Sequence, residues 1–157
     1  GQHGLMGKQN VYEHSVGVPL MIKAAAQHTG KKTADLCYLI DVFPTLCDML
    51  QLPVPQSVDG ISLLSSLDGK EPVRDYLYYS YMDNQRGISD GTWKLIEYHV
   101  NGKRTTQLFN LKNDPWERND LSGQKKYEKT IQRLREKMAE EQKRTNDTSV
   151  FWNNFNY

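Results

Sequence analysis

The sequence predicts an α/β segment followed by a four-stranded antiparallel sheet that packs with a long C-terminal helix. Three observations lead to this prediction. An almost wholly apolar run occurs early in the chain, as in strands buried on both faces of a sheet. Four short strand-like stretches joined by tight-turn signals occupy the middle. A long amphipathic stretch lies near the end. We place the boundary between the two parts at residue 70, which gives regions 1–70 and 71–157.

The first region begins with a loop. Residues 1–8 contain three glycines and no hydrophobic period, and glycines this dense let the backbone approach another group closely. The apolar run follows at residues 16–23, and Pro19 would have to be the first residue of a strand there. Residues 35–50 have helical spacing of their apolar residues, and Pro44 predicts that a helix or turn starts near Asp41.

The second region reads as an antiparallel meander. Asp90-Gly91 and Asn101-Gly102 are strong two-residue hairpin signals. Leu95 and Ile96 fall on opposite faces of the third strand, so we expect the sheet to be covered on both sides. The predicted strands are residues 76–82, 86–89, 92–100 and 105–111.

A helix over residues 124–144 provides one of these covers. Its apolar residues form one narrow stripe, and the remaining charged face is predicted to be solvated. The stripe consists of Tyr127, Ile131, Leu134 and Met138. The tail, residues 149–157, is rich in aromatic side chains, and we expect it to pack onto the body of the protein.

The composition excludes two classes of partner. Of the 157 residues, 38% are hydrophobic and 25% are charged, and the net charge of +1 gives no electrostatic basis for binding nucleic acid or an anionic membrane. No apolar run approaches the length of a transmembrane helix. Cys37 and Cys47 are too few for a disulfide framework and lie in apolar surroundings, which predicts buried free thiols.

Most sequence signatures of catalysis are missing from the printed sequence. It contains no Gly-x-Ser-x-Gly, no His-Glu-x-x-His, no Cys-x-x-Cys and no P-loop. The four histidines are scattered without metal-ligand spacing. The glycine loop remains, because the imidazole of His3 and the ammonium of Lys8 could together bind an anion such as phosphate or sulfate. The alternative is an ordinary exposed loop.

Five segments carry short motifs in a fixed order. They are residues 1–13 (followed by Val18-Pro19-Leu20), 41–46, 59–64, 86–96 and 108–119. Together they resemble the sulfatase family, in which the patterns are G-x-H-G-x-x-x-K-x-x-x-Y-E with R-V-P-L, D-[IV]-x-P-T-[LI], D-G-x-S-L, R-x-[VI]-x-x-G-x-[WY]-K-L-I and L-[FY]-[DN]-L-x-x-D-P-x-E-x-x-N. Each motif alone is weak, but five in this order are highly specific.

The resemblance implies a fold and a mechanism. Residues 1–70 would be the C-terminal end of the large α/β domain of an alkaline-phosphatase-like enzyme, and residues 71–157 its smaller subdomain. Sulfatases hydrolyse sulfate esters with a formylglycine nucleophile and a divalent cation, calcium or magnesium. Lys8 matches the family lysine that contacts the sulfate, and we assign His3 to the leaving group or substrate. Tyr12 and Glu13 would orient the loop.

The chain departs from the family pattern in three ways. No cysteine or serine is followed by x-P-x-R, so a formylglycine precursor is missing, and so is the metal-binding pair that precedes the Gly-x-His-Gly loop. We therefore expect a truncation that is inactive alone, with nucleophile and metal ligands supplied by an N-terminal catalytic portion of the same protein. Gly17 stands where the family has Arg, so Glu13 must find another partner or face solvent.

Several alternatives remain open at this point. A phosphonate monoester or phosphodiester hydrolase of the same superfamily shares much of the pattern, and a non-catalytic glycan- or partner-binding module is a third possibility. The expected substrate is a sulfated small molecule or a sulfated glycan. The resemblance implies a periplasmic, secreted or lysosomal location, which the residues themselves do not indicate.

Overall fold

The computed structural model describes residues 2–23, 30 and 32–149, which belong to two compact units. One unit joins the segment up to Val18 with the chain from Tyr78 onward, and the other spans Pro19–Leu77. The strands are β1 (Leu77–Tyr81), β2 (Gln85–Ser89), β3 (Trp93–Val100) and β4 (Lys103–Asn110). The helices are α1 (Glu13–Val16), α2 (Val42–Met49), α3 (Leu64–Leu67) and α4 (Glu128–Arg144). The assignment of residues 1–70 to a large α/β domain stays a prediction.

The predicted meander is confirmed. The four strands form one sheet in the order β1-β2-β3-β4, and β3 pairs antiparallel with both β2 and β4. The carboxylate of Asp90 closes the first predicted turn by accepting hydrogen bonds from the backbone N–H groups of Thr92 and Trp93, at 2.9 and 2.6 Å. In the second turn Asn101 and Gly102 have φ values of 52° and 74°, the left-handed pair that a two-residue hairpin requires.

Both faces of the sheet are covered, as the alternation in β3 predicts. Leu95 and Ile96 point to opposite faces, and both have 0% exposure. The predicted helix covers the first face: α4 contacts β2 and β3, and its residues Ile131, Leu134 and Met138 are buried. On the second face Val11 and Tyr12 pack with Ile96 and Phe109 in one hydrophobic cluster. The N-terminal segment therefore belongs to the core of this unit.

The second unit is organised around Asp41, whose side chain is fully buried. Its carboxylate forms an ion pair with Arg74 and accepts backbone N–H groups from Tyr38 and Ile61. A short 3₁₀ turn, Leu39–Asp41, leads into α2, so the predicted start near Asp41 is confirmed, although residues 35–38 are not helical. Pro44 lies in the first turn of α2, where its missing N–H leaves no hydrogen bond unmade.

The predicted strand over residues 16–23 is wrong. Helix α1 ends at Val16, and residues 17–23 form neither helix nor strand. Val18, Leu20 and Met21 are 45%, 37% and 90% exposed. The sheet in the described part of the chain consists of β1–β4, and residues 17–23 pair with none of these strands. The apolar composition of residues 16–23 therefore does not determine whether this segment joins a sheet.

Cys37 and Cys47 are free thiols, of which Cys47 is buried and Cys37 half-buried. Of the aromatic tail, only Ser149 is among the described residues, so its predicted packing lies outside them. Among the helices described, none has the length and apolar character needed to cross a membrane.

Candidate functional site

The glycine loop has a left-handed backbone at three positions. Gln2–Gly4 forms a 3₁₀ turn, and the φ angles of His3, Gly4 and Gly7 are 56°, 70° and 76°. Glycine adopts this conformation without steric cost, which explains its presence at positions 4 and 7. A histidine in this region is uncommon and costs conformational energy, so other contacts must hold His3 in place.

Tyr12 provides that contact. The His3 and Tyr12 rings stack with their centroids 4.0 Å apart and an interplanar angle of 6°. The Tyr12 hydroxyl donates a hydrogen bond to Oε1 of Gln107 in β4, at 2.6 Å. Since Tyr12 is itself buried in the core, the imidazole of His3 is positioned by the sheet. The sequence-based expectation that Tyr12 is structural agrees with this geometry.

A second histidine lies beside the first. The His14 ring centroid is 5.7 Å from that of His3, and Nε2 of His14 is 3.4 Å from the Asn10 amide nitrogen. Burial lowers the pKa of His14 below its ordinary value, and the neighbouring His3 and Lys94 act in the same direction. The neutral form of the His14 imidazole is therefore favoured.

Lys8 is placed differently from His3. Its side chain is exposed, and within the described part of the chain no carboxylate pairs with it. The structure places both predicted residues on one loop but records no contact between their side chains. Their roles therefore stay predictions, although a lysine ammonium without a paired carboxylate can bind an anion.

Lys94, the second residue of β3, is a fully buried charged residue. Lys94 has 0% exposure, and its Nζ lies 2.7 Å from Oε1 of Glu13 and 3.2 Å from Oε1 of Glu117. Oε2 of Glu117 accepts the backbone N–H of Glu13 at 2.6 Å. The face of Tyr79 lies 5.0 Å from the same ammonium. Glu13, Lys94 and Glu117 are called the Lys94 triad below.

The Lys94 triad answers the question raised by Gly17. Glu13, without an arginine at position 17, pairs with Lys94 instead. Burial raises the pKa of Glu117, and the neighbouring positive charge of Lys94 acts against that rise. Sequence reasoning missed Lys94 and Glu117 as members of one cluster. Both stand in the recognised motifs, as the lysine of W-K-L-I and the glutamate of D-P-x-E, which was the available signal.

The described residues do not fit a divalent cation. Over residues 2–23, 30 and 32–149, no group of three His, Cys, Asp or Glu side chains is placed to hold a metal ion. The Lys94 triad has two carboxylates, but an ammonium already lies between them. The expected calcium or magnesium and the expected formylglycine therefore stay predictions.

Comparison with known proteins gives one family. Residues 1–144 match the family model described as N-sulphoglucosamine sulphohydrolase, C-terminal. An N-acetylglucosamine-6-O-sulfatase of Bacteroides thetaiotaomicron is 29% identical over 94% of this chain and 28% of its own length. The chain thus spans less than a third of the length of the first relatives it matches.

Two solved structures are similar in fold. One, a protein in complex with its substrate D-glucosamine-2-N,6-O-disulfate, is 29% identical, has a TM-score of 0.60, and covers 69% of this chain and 24% of its own. A phosphonate monoester hydrolase from Silicibacter pomeroyi has a TM-score of 0.73 at 22% identity, covering 92% of this chain and 32% of its own. The second likeness concerns the fold alone.

Proposed function

This chain belongs to the family of C-terminal N-sulphoglucosamine sulphohydrolase domains, and we propose that it is the C-terminal part of an enzyme that hydrolyses sulfate esters. The observation that carries the proposal is the family match, which includes the glycine loop, the Lys94 triad and the helix α4. The relatives support a sulfated sugar as the substrate class, because one is a sulfatase of N-acetylglucosamine and another binds a sulfated glucosamine.

Lys8 and His3 are the residues through which this chain would act. As the bond between sulfur and the ester oxygen breaks, negative charge grows on the sulfate and on the leaving oxygen. The ammonium of Lys8 would offset the charge on the sulfate oxygens. The imidazole of His3, fixed against Tyr12, would contact the leaving group or the sugar that carries it. Nucleophile and cation would come from an N-terminal catalytic portion.

The Lys94 triad supports this role by holding the loop. Glu13, the first residue of α1, lies five residues after Lys8; its side chain binds Lys94, and its backbone N–H donates to Glu117. The side chains that react with substrate need to be held within a fraction of an ångström by rigid elements. The start of β3 provides such an element for the segment that follows the loop carrying Lys8.

The test is the release of inorganic sulfate by the complete protein, with an aryl sulfate and glucosamine-6-O-sulfate as substrates. Lys8→Ala is expected to lower kcat/KM by about 10²–10³, as the loss of one transition-state contact typically does. Lys129→Ala, an exposed lysine on α4, is the matched control and is expected to leave kcat/KM unchanged.

Three results would contradict the proposal. Near-normal turnover by Lys8→Ala would contradict the contact proposed between Lys8 and the sulfate oxygens. Faster cleavage of a phosphonate monoester than of any sulfate ester would favour the phosphonate hydrolase alternative. Binding of sulfated sugars without any hydrolysis would favour a non-catalytic binding module.

A further inference from the structure

The two histidines beside the glycine loop lie against one tyrosine ring. His3 stacks on Tyr12, and the ring centroid of His14 lies 5.7 Å from that of His3 and 6.0 Å from that of Tyr12. The His14 plane is inclined by only 25° and 18° to these two rings. At this separation a charge on one imidazole acts strongly on the other. The proton with which His3 could assist a leaving oxygen is therefore sensitive to the charge state of His14.

Asn10 determines that charge state. It is buried, and its Oδ1 accepts the backbone N–H of Tyr12 at 3.0 Å. Because a backbone N–H only donates, this bond fixes which end of the Asn10 amide is the oxygen. The other end, Nδ2, faces Nε2 of His14 at 3.4 Å. An amide NH2 group is a donor, so Nε2 of His14 has to be an acceptor, and the ring proton lies on Nδ1. Asn10 thus selects the neutral imidazole of His14.

The surroundings of His14 favour the same neutral form. Burial lowers its pKa, and His3, Lys94 and Lys8 act in the same direction. The neighbouring carboxylate of Glu13 is bound to Lys94. Nε2 of His14 faces Asn10, and its Nδ1 is buried without a partner among the described residues. In that part of the chain, no carboxylate therefore accepts a hydrogen bond from the ring and holds a positive charge on it.

We propose that Asn10 and His14 are positioning residues for His3: they place a neutral imidazole beside it, so that a proton taken up by the two histidines resides on His3. The inference rests on the proposed function, in which His3 contacts the leaving group or the sugar, and it adds the residues that govern the charge of His3. His3 itself is under no such restraint. Its Nε2 is buried and meets no donor among the described residues, so no hydrogen bond there opposes its protonation.

The first test is a nuclear magnetic resonance titration of the histidine rings in the complete protein, labelled with ¹³C and ¹⁵N. The loss of signals in His14→Gln identifies those of His14. At about pH 7 the wild-type ring should be neutral with its proton on Nδ1, and its apparent pKa should lie below the ordinary value of about 6.5. A charged or Nε2-protonated His14 overturns the proposal, and this result needs no variant at Asn10.

Asn10→Asp is expected to reverse the charge state of His14. The carboxylate keeps an acceptor for the N–H of Tyr12, and it presents an oxygen to Nε2 of His14 in place of the amide donor. Since a protonated His14 can donate to that oxygen, its apparent pKa should rise by about one unit or more above about 6.5. The resulting positive charge, with its ring centroid 5.7 Å from that of His3, opposes protonation of His3.

The pH dependence of sulfate ester hydrolysis is the second readout. For Asn10→Asp, kcat/KM should be about five- to tenfold below wild type near pH 6, where His14 is charged. It should be within about twofold near pH 9, where His14 is neutral in both proteins. The double variant Asn10→Asp with His14→Gln has no imidazole to charge, so its profile should run parallel to that of His14→Gln alone. His99→Gln, on the α4 face of β3, is the matched control and should keep the wild-type profile.

The outcomes separate this inference from the proposed function. An equal loss for Asn10→Asp at every pH, which persists in the double variant, would show a structural role for Asn10 and overturns the inference. An unchanged profile in a variant whose His14 is charged overturns it as well. If charging His14 lowers the apparent pKa of His3 in the titration but no ester releases sulfate, the histidine pair is supported and the proposed function is rejected.

Discussion

Lys94 and Glu13 are 81 residues apart in the sequence, yet the Nζ of Lys94 lies 2.7 Å from Oε1 of Glu13. The pair joins the start of α1 to the start of β3. Oε1 of Glu117 lies 3.2 Å from the same ammonium, and its Oε2 accepts a hydrogen bond from the backbone N–H of Glu13. Three segments that are remote in sequence thus meet at one fully buried cation, and one of them, at Glu13, lies five residues after Lys8.

Lys94→Met is expected to lower the free energy of unfolding by about 3–5 kcal/mol, because it leaves the buried carboxylate of Glu117 without its cation. Urea denaturation measures the change. The double variant Lys94→Met with Glu117→Gln should recover part of the loss, since the uncompensated charge is then removed together with its partner.

The control for this experiment is Lys137→Met. Lys137 pairs with Glu140 on the solvent side of α4, where the two side chains are 39% and 62% exposed. Its loss should cost less than about 1 kcal/mol. If both lysine variants unfold at the same urea concentration, the Lys94 triad does not stabilise the fold.

Glu117→Gln is expected to flatten the dependence of stability on pH. Burial raises the pKa of Glu117, so the folded protein holds that proton more tightly than the unfolded chain does. The wild type therefore loses stability as pH rises from the ordinary glutamate value of about 4.3 through the raised value. Urea denaturation at a series of pH values measures the slope. Parallel curves for variant and wild type would contradict the assignment.

Asp41→Asn in the second unit tests a pKa shift opposite in direction to that of Glu117. Burial alone would raise the pKa of Asp41, but the hydrogen bonds from Arg74, Ile61 and Tyr38 outweigh it and hold that pKa below its ordinary value. The stabilisation is therefore present above about pH 3.9 and is lost as pH falls through the lowered value.

In the Asp41→Asn variant this acid-dependent loss should disappear, and the second unit should be less stable by about 3–5 kcal/mol at pH 7, because the Arg74 cation loses its partner. Asp59→Asn, an exposed aspartate in the same unit, is the matched control, with an expected change within about 0.5 kcal/mol. Similar acid sensitivity in both variants would show that another group causes the loss.

The parts of the fold that could be predicted are those that local sequence determines. Asn101-Gly102 sets a turn geometry by itself, and the alternation of Leu95 and Ile96 sets two covered faces. The stripe on α4 is likewise a local pattern of period 3.6. None of these depends on knowing which distant segment lies opposite.

The predicted strand that is wrong and the cluster that was missed both depend on contacts between distant segments. The run over residues 16–23 was assigned to a sheet because of its apolar character, but membership of a sheet depends on partners that a short run does not specify. Lys94 had the appearance of an ordinary strand lysine. Its burial follows from the covering of that face by the segment around Val11, and its partners follow from the return of the chain at Glu117.

Gly60→Ala is expected to destabilise the second unit by about 2–3 kcal/mol, the usual cost of forcing an atom into a filled site. A Cβ at position 60 would lie 2.2 Å from the carbonyl oxygen of Ile40, and backbone cannot move aside as a flexible side chain can. The close approach arises because Asp41 binds the N–H of Ile61, which draws the Asp-Gly motif onto the turn before α2.

Gly123→Ala is the control, since a Cβ there meets nothing within 4 Å. Thermal denaturation compares the two variants, and equal melting temperatures would mean that the glycine of this motif is not required by the packing against Ile40.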